Sequence, residues 1–107
     1  MYVDRSRTSI DYNPMPLRRL GEAVNLLERI DYQIRTHNTG TPDEFADKLG
    51  ISRSTWFEYL QVLTEDLNLP IAYDTYVRSY VYTREGRIIF MFISGDDEIN
   101  LIKNRTV

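Results

Sequence analysis

Nine residues carry side chains whose type and placement suit chemistry on a polyanion: Thr41, Ser52, Arg53, Ser54, Thr55, Phe57, Glu58, Gln61 and Arg78. Seven of them fall between Ser52 and Gln61, so a helix starting at Ser52 would gather them on its first turns. Hydroxyls and unpaired N–H groups at a helix start hydrogen-bond phosphate oxygens. Arg53 has the fork that matches a guanine edge, Gln61 the amide that pairs with adenine, and Glu58 an acceptor for the cytosine amino group. Phe57 can lie against a thymine methyl group.

No comparable set exists for breaking a covalent bond. Ser52 and Ser54 have helix-start roles that account for them, and His37, the one histidine, sits among turn formers. The chain has no cysteine, which excludes disulfides, a thiol nucleophile and Cys-based zinc sites. It also lacks a glycine-rich phosphate loop. Asp96, Asp97 and Glu98 are consecutive, so an extended chain would point them to alternating faces, as in a solvated tail. The expectation is no enzyme, no catalytic residue, no metal and no cofactor.

The elements that must position these residues follow from periodicity. Residues 1–14 show none, and Pro14 and Pro16 punctuate the junction, so they read as a flexible arm. Leu17, Leu20, Val24, Leu27, Ile30 and Ile34 then recur at helical spacing, with Gly21 a point where the helix could break in two. His37, Asn38 and Gly40 end that helix, Gly40 offering a positive φ. Thr41-Pro42-Asp43-Glu44 starts the next: Thr41 caps, Pro42 takes the first helical position, and Glu44 closes a capping box. This helix stops at Gly50, and Ser52 caps another that runs to about Asp66. After Pro70 the period becomes two. Strands are expected at Ile71–Tyr73 and Ser79–Thr83 across a turn at Asp74–Arg78, and a third at Arg87–Ile93, "RIIFMFI". The rest, 94–107, reads as a polar tail.

The order of elements and the spacing of Ala46, Gly50, Ile51, Trp56 and Leu60 resemble the winged helix-turn-helix domain of the biotin-repressor and deoxyribose-regulator type. The run "TGTPDEFADKLGISRST" is also similar to small uncharacterised helix-turn-helix proteins. The resemblance spans about residues 26–83. It implies an α+β fold: a three-helix helix-turn-helix core with a C-terminal β-hairpin wing, over residues 15–93. In that arrangement a small Ala46 lets two helices cross closely, Gly50 makes the sharp turn, Ile51 plugs the corner, and Trp56 and Leu60 hold the second helix down. The function implied is sequence-preferring binding of double-stranded DNA in transcription regulation, with the Ser52–Asp66 helix in the major groove.

Charge pulls against this. The chain has 13 basic and 16 acidic residues, net −3. From Thr41 to Asp66, Lys48 and Arg53 face Asp43, Glu44, Asp47, Glu58, Glu65 and Asp66. Phosphate affinity would have to come from Arg5 and Arg7 in the arm, Arg18 and Arg19, and Arg78, Arg84 and Arg87 around the hairpin. A homodimer would double these cations, and the Leu17–Val24 stretch offers an apolar face for one. The alternative is a winged-helix protein-interaction module without DNA binding, docking through Phe57 and Val62 on an acidic face. A DNA-bending accessory factor would use the same residues as the first reading. No apolar run approaches the roughly 18 residues of a membrane span, and the expected location is cytoplasmic.

Overall fold

The computed structural model describes residues 17–105, so the arm expected at 1–14 lies outside the described residues. Among the described residues the fold is α+β, with four helices and one antiparallel hairpin. Helix α1 (Leu17–Arg35) runs through Gly21 without a break. Nothing lies within 4 Å of a side chain built at Gly21, so no neighbour exploits the gap and the helix simply continues.

The end of α1 differs from expectation in one detail. His37, at φ 55°, takes the left-handed position, and the N–H groups of His37 and Asn38 donate to the carbonyls of Ile34 (3.1 Å) and Gln33 (2.9 Å). This is the double bond pattern that closes a helix C-terminus, so the lone histidine is a cap. Gly40, at φ 76°, serves the next helix: a Cβ there would lie 2.4 Å from Glu44 Oε1.

Helix α2 (Pro42–Leu49) starts on the capping box the sequence implied. The Glu44 N–H donates to Thr41 Oγ1 at 3.2 Å, and the Thr41 N–H donates to Glu44 Oε1 at 2.8 Å. It ends at Gly50, φ 75°, with the Ile51 N–H on Ala46 O at 3.0 Å. That turn, available at no steric cost only to glycine, sends the chain straight into α3 (Arg53–Gln61), capped by Ser52. The last turn widens into a π-helical segment, Val62–Asp66, before Pro70.

Strands β1 (Ile71–Asp74) and β2 (Ser79–Tyr82) pair in the register Ile71–Tyr82, Ala72–Val81, Tyr73–Tyr80 and Asp74–Ser79. Asp74 Oδ1 shapes the turn by accepting from the N–H groups of Tyr76 (2.8 Å) and Val77 (3.4 Å). Arg78 closes it in the left-handed region, φ 57°. The inner edge of β2 is tied to the loop after α1. The Tyr80 N–H donates to Thr39 Oγ1 at 2.8 Å, and the Thr39 N–H donates to Ser79 Oγ at 3.2 Å, all in buried surroundings.

The core lies where the C-terminal half of α1, α2, α3 and β2 meet: Ile30, Ile34, Phe45, Ala46, Leu49, Trp56, Leu63 and Tyr80. Trp56 is fully buried, edge-on to Phe45 (centroids 4.7 Å apart) and to Tyr80 (5.2 Å).

Two expectations are corrected beyond the hairpin. Arg87–Ile93 is not a third strand; it has no regular secondary structure and pairs with no strand among the described residues. Buried Asp31 on α1 accepts the Ile88 N–H at 2.9 Å, so this donor is spent on a side chain and not on a β ladder. The polar tail contains a helix, α4 (Gly95–Arg105). Ser94 Oγ accepts the Asp97 N–H (3.3 Å), and Asp96, Asp97 and Glu98 complement the positive end of the helix dipole, a role that consecutive carboxylates can fill.

Candidate functional site

The N-terminal turn of α3 assembles as a polar cluster. Ser52 Oγ accepts the Thr55 N–H at 3.1 Å and lies 2.9 Å from Thr55 Oγ1 and 3.2 Å from Ser54 Oγ. The N–H groups of Arg53 and Ser54 have no acceptor among the described residues, as the first turn of a helix dictates. Arg53 is 61% exposed and rests over the Phe57 ring, 5.4 Å from its centroid. Ser54, Glu58 and Gln61 all face outward, and Phe57 is 40% exposed. Thus Ser52, Arg53, Ser54, Thr55, Phe57, Glu58 and Gln61 form one continuous surface, which the hairpin leaves uncovered.

Thr41 and Arg78 do not join it. The Thr41 hydroxyl is committed to the capping box. Arg78 lines a shallow cleft with His37, Asn38, Gly40, Glu44, Asp47, Lys48 and Val77. There the Thr41 N–H holds the Glu44 carboxyl below the usual carboxylate range, with Arg78 and Lys48 adding to the effect. Arg53, by contrast, meets Asp43, whose Oδ1 is 3.4 Å from its guanidinium. The two arginines therefore answer to successive carboxylates of the α2 first turn, Asp43 and Glu44.

Further along α3 the surface turns acidic. Gln61 Nε2 donates to Glu65 Oε1 at 3.3 Å, which occupies the amide expected to pair with a base. The sequence reading missed Tyr76, which is 94% exposed at the hairpin tip. Its only signal was its place inside a turn, where a large aromatic has nothing to pack against. It also missed Asp43 as the partner of Arg53. A first-turn acid looks like a response to the helix dipole, and its second role needs the α2–α3 crossing to appear.

Among the described residues there is no group of His, Asp or Glu side chains arranged to hold a metal ion, and no helix is long and apolar enough to cross a membrane. Compared with known proteins, the chain matches no family model, no curated sequence and no solved structure. The functional reading therefore stands on the residues and their geometry.

Proposed function

We propose that the protein is a winged helix-turn-helix regulator that binds double-stranded DNA with sequence preference, α3 lying in the major groove and the β1–β2 hairpin serving as the wing. The observation carrying this reading is the α2–Gly50–α3 unit. Two short packed helices, the first with Ala46 buried, are joined by a left-handed glycine turn, and the second presents its hydroxyl- and arginine-bearing first turn to solvent. Open N–H groups, Ser52, Ser54 and Thr55 would take phosphate oxygens, and Arg53 a guanine edge. The Asp43 pair does not forbid this. Both partners are more than half exposed, and such pairs contribute about 0–1 kcal/mol, so a phosphate can replace the carboxylate. Glu58, exposed on the same helix, would accept from cytosine.

Because the α3 surface itself brings a single cation, two copies would be needed to bind with useful affinity, as half-sites one helical turn apart. Selection of bound duplexes from a random pool at low salt is the test. The expected outcome is an enriched motif that Arg53→Ala erases while the fold is retained.

A second reading has its own support. Phe57 and Val62 are 40% and 46% exposed beside Glu58 and Glu65, a combination suited to a basic, apolar protein surface. Absence of any enriched duplex would favour it.

A further inference from the structure

The largest unexplained feature is the segment after the hairpin. Five successive side chains, Ile89, Phe90, Met91, Phe92 and Ile93, are 63, 70, 63, 92 and 37% exposed. At about 200 Å² for a large apolar residue they present roughly 650 Å² of apolar surface, above the ~300–600 Å² of the largest patch on a typical monomer. None of their N–H groups finds a backbone acceptor among the described residues. The run has the composition of a buried strand but no ladder partner among the described residues.

We infer that residues 89–93 form a strand with the same segment of a second copy of this chain, antiparallel and centred on Met91. Four observations carry this. Every residue from Ile88 to Ile93 is apolar, so antiparallel self-pairing sets apolar against apolar throughout: Phe90 opposite Phe92 and Ile89 opposite Ile93. The exposed area is close to the ~800 Å² that each partner contributes to a stable interface. The ends are complementary in charge. Arg84 and Arg87, against Glu85 alone, precede the run, and Asp96, Asp97 and Glu98 follow it. Antiparallel pairing brings the basic end of one copy to the acidic helix start of the other, whereas parallel pairing would stack like on like. Finally, the Ile88 N–H is taken by Asp31 on α1, while the N–H groups of residues 89–93 find no backbone acceptor among the described residues and are left for a second chain.

The inference takes up the two-copy element of the function proposed above and names its surface. Its test contains no DNA, so it fails or survives separately from that reading. The full chain, sedimented at micromolar concentration, should be a dimer. Phe92→Asp changes a side chain that is already in water in the single chain, so the fold and its thermal midpoint should persist. Dimerisation should weaken roughly thirtyfold or more.

Because the chain has no cysteine, an introduced one can cross-link only to another copy. Met91→Cys should cross-link on oxidation, being next to its own symmetry mate. Ile89→Cys should not, since its mate lies ~14 Å away along the strand. Mixing Ile89→Cys with Ile93→Cys should restore the product. A monomer at every concentration overturns the inference, and so does a dimer that Phe92→Asp leaves intact or that cross-links equally at 89 and 91.

Discussion

The two halves of α1 share one helical repeat and meet opposite fates. Leu17 and Leu20 are 81% and 46% exposed, whereas Ile30 and Ile34, on the same stripe, are 1% and 0% exposed. The difference is not in their hydrophobicity. The C-terminal half lies against β2 and the loop that precedes α2, and the N-terminal half has no such cover among the described residues. Two apolar runs near the C-terminus repeat the lesson. "SYVY" at 79–82 is a strand because Ile71–Asp74 is there to pair with it, and "IIFMFI" at 88–93 is none because no segment among the described residues is. Periodicity says which face can be buried. Burial itself needs a partner in reach.

The sharpest break of this contrast is at Trp56. It is fully buried between Phe45 and Tyr80, so Trp56→Ala should remove about 3–5 kcal/mol in urea unfolding, much of the stability of a domain this size. Leu17→Ala, on an exposed side chain, should move the same curve by less than about 0.5 kcal/mol. Equal effects at the two sites would erase the distinction between covered and uncovered stripes.

Asp31 tests where the covered region ends. Its carboxylate is buried, accepting from Arg35 Nε (2.8 Å), Tyr82 OH (2.7 Å) and the Ile88 N–H (2.9 Å). Burial pushes its pKa up, but the three bonds together outweigh that and hold it below the ordinary value. Burial and the same carboxylate push the Tyr82 hydroxyl well above the usual tyrosine range. A depressed carboxyl means that the folded state binds fewer protons than the unfolded chain. Its contribution is therefore complete above about pH 4 and is lost as pH falls through the folded value. Asp31→Ala should cost about 2–3 kcal/mol near neutrality and flatten the acid limb of the stability–pH profile. An unchanged acid limb would show that Asp31 does not hold α1, Tyr82 and Ile88 together.

The smallest effect concerns local structure alone. Thr41→Ala removes the hydroxyl half of the capping box and should cost about 1 kcal/mol, measurable as a shift of the unfolding midpoint. A much larger loss would mean that Thr41 also serves the tertiary contact between α2 and the hairpin.

These sites also divide what was legible in the chain from what was not. Thr41, Glu44, Gly50 and Ser52 act within four residues of their partners, so their roles follow from spacing, as does the burial of Trp56 at the centre of its helix face. The outward surface of α3 was legible for the same reason. Its neutralisation was not, because the Arg53–Asp43 pair depends on how two helices cross. Nor was the place of Arg78, itself a left-handed turn residue, which lines a cleft with Glu44.

The amino-acid order by itself determined α1, α2 and α3, the caps at Thr41 and Ser52, the glycine turn and the hairpin, since each is set by interactions a few residues apart. Only the tertiary structure decided that Asp31 would anchor Tyr82 and Ile88, 51 and 57 residues away, and that the run after Ile88 would be left bare. Caps and turns satisfy backbone groups locally, whereas a strand or a buried carboxylate exists only when distant atoms arrive to complete its hydrogen bonds.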